Sequence, residues 1–194
     1  MELLVEREEQ GGFLINKSNP SFKEDGYTAV KQILSEELSL FLGGYAHRKE
    51  GGNYKDIQVV GAPSWYGDGA MQYLLLFLKP EMERQTGLSL LPTYSYFRLY
   101  SNGDVLEKHK DRPSCEVSAS ICLKGDKWPL IIDGFSATLS PGDALIYRGC
   151  DYEHWREEFT EGETLAQVFL HYVDANGENT KWENDKHPDI LVHA

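Results

Sequence analysis

From Pro92 onward the chain is cut by turn residues into short segments rich in β-formers, and few architectures accept that pattern. The segments run over residues 93–100, 105–108, 116–123, 130–133, 144–147 and 165–173. Between them stand Asn102-Gly103, Gly125-Asp126, Asp133-Gly134 and Pro141-Gly142-Asp143, each a sequence suited to a tight turn. Many short strands at such spacing predict a sandwich or barrel. The fold class expected is therefore α+β, mainly β.

The segment before Pro92 has a different period. Val30, Ile33, Leu34, Leu38, Phe41 and Leu42 recur at helical spacing from Asp25 on, and Gly43-Gly44 supplies a stop. A second helix is expected from about Asp68 to Arg84, divided or kinked at Pro80. Two such amphipathic helices can cover one face of a β structure. With 194 residues, 41% of them hydrophobic, one domain suffices: a helical support over 1–92, a β core over 93–174 and a tail over 175–194.

A formal net charge of −12 repels a phosphate backbone, so no nucleic-acid partner is expected. Cys115, Cys122 and Cys150 are odd in number and lack C-x-x-C spacing, which favours reduced thiols over disulfides or a thiolate zinc site. No apolar run is long enough to span a membrane, and no secretory leader opens the sequence; the expected location is cytoplasmic.

The chemistry concentrates at His109-Lys110-Asp111. Side chains two apart on an extended segment share a face, so the imidazole and the carboxylate converge. His154 follows 43 residues after Asp111, beyond the 141–143 turn and another β segment. Two His and one carboxylate are the donors of a facial triad, which leaves half an octahedron open.

Around this triad the segment 100–112 resembles the 2-oxoglutarate-dependent oxygenases of the prolyl-hydroxylase and AlkB-like type. Tyr100 precedes His109 by nine residues, Gly103 lies in the turn between them, and Gly142-Asp143 leads into the strand before His154. The resemblance covers about residues 94–173, with Asp25-Gly26-Tyr27 similar to the opening of such enzymes. It implies a double-stranded β-helix, or jelly roll, with the N-terminal helices packed on one face. It also implies Fe(II) held by His109, Asp111 and His154, with 2-oxoglutarate as co-substrate, ascorbate as an accessory reductant, and Tyr100 on a co-substrate carboxylate. The implied reaction is hydroxylation of a small molecule or a peptidyl residue, with release of succinate and CO2.

One feature departs from those families. Where they carry an Arg or Lys on the strand after the distal His, this chain has Glu163, Thr164 and Leu165. A dianion in a half-buried pocket needs a counter-charge. Lys127 and Arg156 are the two candidates, with Arg148 ranked below them and Arg98, which shares the face of Tyr94, Tyr96 and Tyr100, also in reach. The missing downstream cation keeps open a cupin-like metal enzyme that uses no 2-oxoglutarate; a non-catalytic jelly-roll binding module is the other alternative. His171 is expected to be a core or rim histidine, and His47, His187 and His193 lie in polar contexts. The polar, Gly-containing stretch 46–68 and the tail from Asp174 suit a lid.

Overall fold

The computed structural model describes residues 20–185. Its element order is α1 (Phe22–Asp25), β1 (Tyr27–Val30), α2 (Glu36–Arg48), β2 (Ser64–Tyr66), α3 (Gly69–Thr86), β3 (Leu90–Ser101) and β4 (Leu106–His109). There follow β5 (Val117–Gly125), β6 (Leu130–Ile132), β7 (Phe135–Ala137), β8 (Ala144–Tyr147), β9 (His154–Arg156) and β10 (Thr164–Asp174). Two antiparallel sheets result, a six-stranded one ordered β1-β8-β5-β10-β3-β2 and a four-stranded one ordered β4-β9-β6-β7. This is the expected jelly roll. The far end of the expected tail, with His187 and His193, lies outside the described residues.

Strand alternation divides the larger sheet between two environments. On β10, Val168, Leu170 and Tyr172 point outward into a core shared with Met71, Leu75, Leu78 and Met82 of α3 and Leu42 and Ala46 of α2. Gln167, Phe169 and His171, the residues between, face the smaller sheet. Burying each Leu or Met side chain of α3 stabilises by roughly 1.5–3 kcal/mol. Tyr172 adds a polar tie, its hydroxyl donating to the Leu75 carbonyl at 2.6 Å. The helices thus cover one face, as expected.

Three local expectations are corrected. Residues 27–30 are not helical: they form β1, paired with β8 from Tyr27↔Tyr147 to Val30↔Ala144. The helix begins only after Ser35, whose hydroxyl accepts the Leu38 N–H at 3.2 Å, and Glu36 and Glu37 occupy its electropositive first turn. It then runs through Gly43-Gly44 to Arg48, because Gly43 is a contact point and not a stop. A Cβ there would overlap Lys124 Cβ on β5. Pro80 does not divide α3, which is continuous from Gly69 to Thr86 with Asp68 accepting the Ala70 N–H and Gly87 closing the far end at φ 73°. No helix among the described residues is long and apolar enough to cross a membrane.

Candidate metal centre

A cavity of about 450 Å3 lies between the two sheets. Tyr94, Tyr96, Arg98 and Tyr100 of β3 form one wall, Phe169 and His171 of β10 continue it, and His109, Leu130 and His154 come from the smaller sheet.

The backbone register sets the imidazoles together. His109 on β4 and His154 on β9 are directly paired residues of antiparallel strands, and their ring centroids are 4.4 Å apart. His109 Nδ1 is 2.7 Å from the Glu107 carbonyl and His154 Nδ1 is 3.1 Å from the Tyr152 carbonyl. A carbonyl only accepts, so both Nδ1 atoms carry a proton, and in the neutral rings the lone pair is left on Nε2. Asp111 Oδ1 is 3.9 Å from His109 Nε2 and 3.6 Å from His154 Nε2. The donor atoms of all three lie within 4.8 Å of one another.

Asp111 is itself fixed. Its N–H donates to the Gly149 carbonyl at 2.9 Å, and its Oδ2 faces Ser118 Oγ at 3.1 Å. Ser118 Oγ also stands 3.2 Å from the Cys115 carbonyl and 2.9 Å from His171 Nδ1. One hydroxyl proton serves the two acceptors, so the His171 contact has Nδ1–H donating to the serine. Burial pushes His171 down to about 4, which keeps that ring neutral. Burial likewise holds His154 below the usual imidazole range, which suits a nitrogen that must offer a lone pair. Cys115 and His171 form with Asp111 a second donor cluster. Its thiol is pushed up to about 12, chiefly by burial, and lies 3.0 Å from the Tyr94 hydroxyl, so it is a neutral packing group.

The expected co-substrate residues separate clearly. Tyr100 and Arg156 lie in the same interior, both almost completely buried. Arg156 donates to the Trp128 carbonyl and, through Nη2, to Gln167 Oε1 at 3.1 Å, with its guanidinium over the Trp128 ring. Among the described residues it has no carboxylate partner, and its Nε and the Tyr100 hydroxyl are both left without a hydrogen bond. Burial lowers its pKa, the mark of a cation held in an apolar setting. Lys127, by contrast, is exposed on the loop between β5 and β6 and does not line the cavity. The reason is that β5 ends at Gly125 and its last residues already face solvent. Arg148 packs over Phe22, away from the cavity. Arg98 lines the cavity but is paired with Asp56 at 2.6 Å.

Three participants escaped the sequence reading. Gln167, Ser118 and Ser120 form with Arg156 and Asp111 the polar lining of the interior, Gln167 Nε2 donating to Ser120 Oγ at 2.7 Å. Their signal was present as polar residues at inward positions of apolar central strands. Arg112, beside the triad, pairs with Asp185 of the tail at 2.6 Å.

No family model and no curated protein matches the sequence. Solved structures do. A Pseudomonas putida prolyl-4-hydroxylase superposes with a TM-score of 0.60 at 18% identity over 75% of this chain and 92% of that one. These proteins share one fold. The epimerase SnoN of nogalamycin biosynthesis, solved with Fe3+, α-ketoglutarate and nogalamycin RO, gives a TM-score of 0.67 at 13% identity, covering 79% of this chain and 81% of that chain. HygX from Streptomyces hygroscopicus, solved with nickel and 2-oxoglutarate, gives 0.61 at 9% identity over 78% and 84%.

Proposed function

We propose that the chain is a 2-oxoglutarate- and Fe(II)-dependent dioxygenase that hydroxylates a small molecule or a peptidyl residue. The observation that carries this reading is the pairing of an open two-His, one-carboxylate donor set with a buried guanidinium that has no carboxylate partner among the described residues. His109 Nε2, Asp111 Oδ1 and His154 Nε2 would hold the iron, and the set fits Fe(II), which takes imidazole and carboxylate on one face. Arg156 and the Tyr100 hydroxyl would receive the far carboxylate of 2-oxoglutarate. An unpaired buried cation is costly, and a bound anion relieves that cost. Arg156 thereby offers the counter-charge whose absence downstream of His154 had favoured a cupin-like enzyme without 2-oxoglutarate.

When bound, iron and 2-oxoglutarate supply the oxidising chemistry, with succinate and CO2 as co-products. The chain's share is positional. The Glu107 and Tyr152 carbonyls fix the proton of each neutral ring on Nδ1 and so present Nε2 as the donor, and Ser118 holds Oδ2 so that Oδ1 turns to the imidazoles. The buried Tyr147 ring against His154 shields that side of the centre from water. SnoN, solved with Fe3+ and α-ketoglutarate, and HygX, solved with nickel and 2-oxoglutarate on the same fold, support this reading.

The decisive experiment mixes the purified protein with Fe(II) and 2-oxoglutarate without oxygen and looks for the visible charge-transfer band of the chelate. It is followed in air by iron-dependent succinate release. A protein that binds iron but gives neither band nor succinate is not a 2-oxoglutarate oxygenase.

A further inference from the structure

Arginines gather at the cavity of a chain that is acidic overall. The protein has 31 acidic against 19 basic residues, yet two guanidiniums, Arg98 and Arg112, line this cavity, and a third, Arg156, is buried against Trp128 and Gln167. Arg156 is assigned above to the co-substrate. Arg98 is buried to 1% exposure, and the carboxylate it holds comes from a loop of its own chain.

That carboxylate is Asp56, 2.6 Å from Arg98 Nη2 and hydrogen-bonded by the Tyr96 hydroxyl. Burial pushes the Asp56 pKa up, but Tyr96, the Gln58 N–H and Arg98 outweigh it and keep the group ionised. Asp56 and Gln58 both line the cavity. Between and beyond them the loop exposes large apolar side chains: Ile57 is 90% exposed, Val60 80% and Tyr54 59%. Val59 and Ala62 bury themselves in the interior core, so the loop is anchored behind its tip. An anion seated on a cavity guanidinium, next to apolar side chains that bury against nothing, has the form of a ligand site filled by the protein's own chain.

We propose that the substrate is an apolar carboxylic acid whose carboxylate takes Arg98 in place of Asp56, its apolar body being covered by Tyr54, Ile57 and Val60. This rests on the oxygenase reading of the cavity. The displaced Asp56 finds water, while Arg98 keeps a carboxylate partner and the Tyr96 hydroxyl at 2.8 Å. Exchange of one carboxylate for another keeps the buried charge paired, so the apolar contacts decide which acid wins.

The test uses the anaerobic complex with Fe(II) and saturating 2-oxoglutarate, whose charge-transfer band reports independently on the oxygenase reading. A series of straight-chain and aryl-alkanoic acids and the matching primary amides is added, and hydrogen exchange is followed over residues 53–62. Acids are expected to change exchange in this loop at concentrations about tenfold or more below their amides, the worth of one charge-assisted hydrogen bond. Arg98→Gln is expected to abolish the acid preference, and Asp56→Asn, which removes the internal competitor, to tighten acid binding. The proposal is overturned if no acid acts, if amides act equally well, if Arg98→Gln keeps the preference, or if Asp56→Asn weakens binding. It is overturned too if the acids erase the band, since Arg98 would then serve 2-oxoglutarate. Absence of the band before any acid is added instead marks failure of the oxygenase reading.

Discussion

Gly149 lies so close to Asp111 that no methyl group fits between them: a Cβ there would overlap Oδ2, stand 2.8 Å from Asp111 Cβ and 2.6 Å from the Cys115 carbonyl oxygen. The Gly149 carbonyl also takes the Asp111 N–H at 2.9 Å. One glycine therefore seats both the backbone and the side chain of the carboxylate donor. Gly149→Ala is expected to push Asp111 out of reach of the two imidazoles and weaken Fe(II) binding by about tenfold or more. Overpacking of this kind costs about 1–3 kcal/mol of stability, so the variant should still fold. Iron titration beside a thermal melt checks this, and unchanged iron affinity would show that Asp111 is not held as described.

Ser118 acts on the same carboxylate from the other side. Ser118→Ala removes the hydroxyl 3.1 Å from Oδ2 and leaves His171 Nδ1–H without its acceptor. Partners of metal-bound carboxylates typically contribute tenfold to a hundredfold in affinity. Fe(II) affinity is expected to fall by about that factor, whereas His109→Ala should abolish iron-dependent succinate release altogether. Equal losses in the two variants would mean that Ser118 matters to folding and not to Asp111.

The convergence of His109 and Asp111 was legible because its information is local. His109 and Asp111 share a short segment, and the turn 141–143 marks the approach to His154. The β core followed from turn spacing, the covering helices from the 3.6-residue period, and the jelly roll from the family resemblance. What could not be read was which strands pair. The segment 27–30 carries apolar residues at spacings that continue into α2, and only its pairing with β8 makes it a strand. Ser35-Glu36-Glu37 held the true helix start in plain view, as a cap followed by two acids. Lys127 and Arg156 were equivalent candidates on sequence because burial is decided by where β5 ends and where β9 crosses the sheet. The Gln167 and Trp128 contacts of Arg156 join residues 11 and 28 apart.

Arg156 gives a third expectation. Arg156→Met keeps an apolar stem of similar reach and removes the charge. If the guanidinium receives the far carboxylate of 2-oxoglutarate, the variant should need about tenfold to a hundredfold more co-substrate, the worth of a hydrogen bond to a charged group. Fe(II) affinity should hold. Wild-type protein should also melt higher when 2-oxoglutarate is added with iron, and the variant should not. Lys127→Ala, an exposed substitution, should alter neither quantity. A wild-type KM in Arg156→Met would return the role to another cation.

His171 sets the last expectation, for the metal-free protein. Its pKa falls from 6.5 unfolded to about 4 folded because the ring is buried. Between those values the unfolded chain binds a proton that the folded chain does not, so stability is intact above the unfolded pKa and is lost as pH falls toward the folded one. At about 1.36 kcal/mol per pH unit the loss by pH 4 is about 3 kcal/mol from this one residue. Burial acts on His154 in the same direction and adds to the slope. Urea midpoints measured from pH 7 to pH 4 should therefore fall steeply in wild type and less steeply in His171→Asn, whose amide can still donate toward Ser118. Parallel profiles for the two proteins would mean that the ring is protonated inside the fold. Nδ1–H would donate to the serine in that state too, so only the charge of the ring is in question.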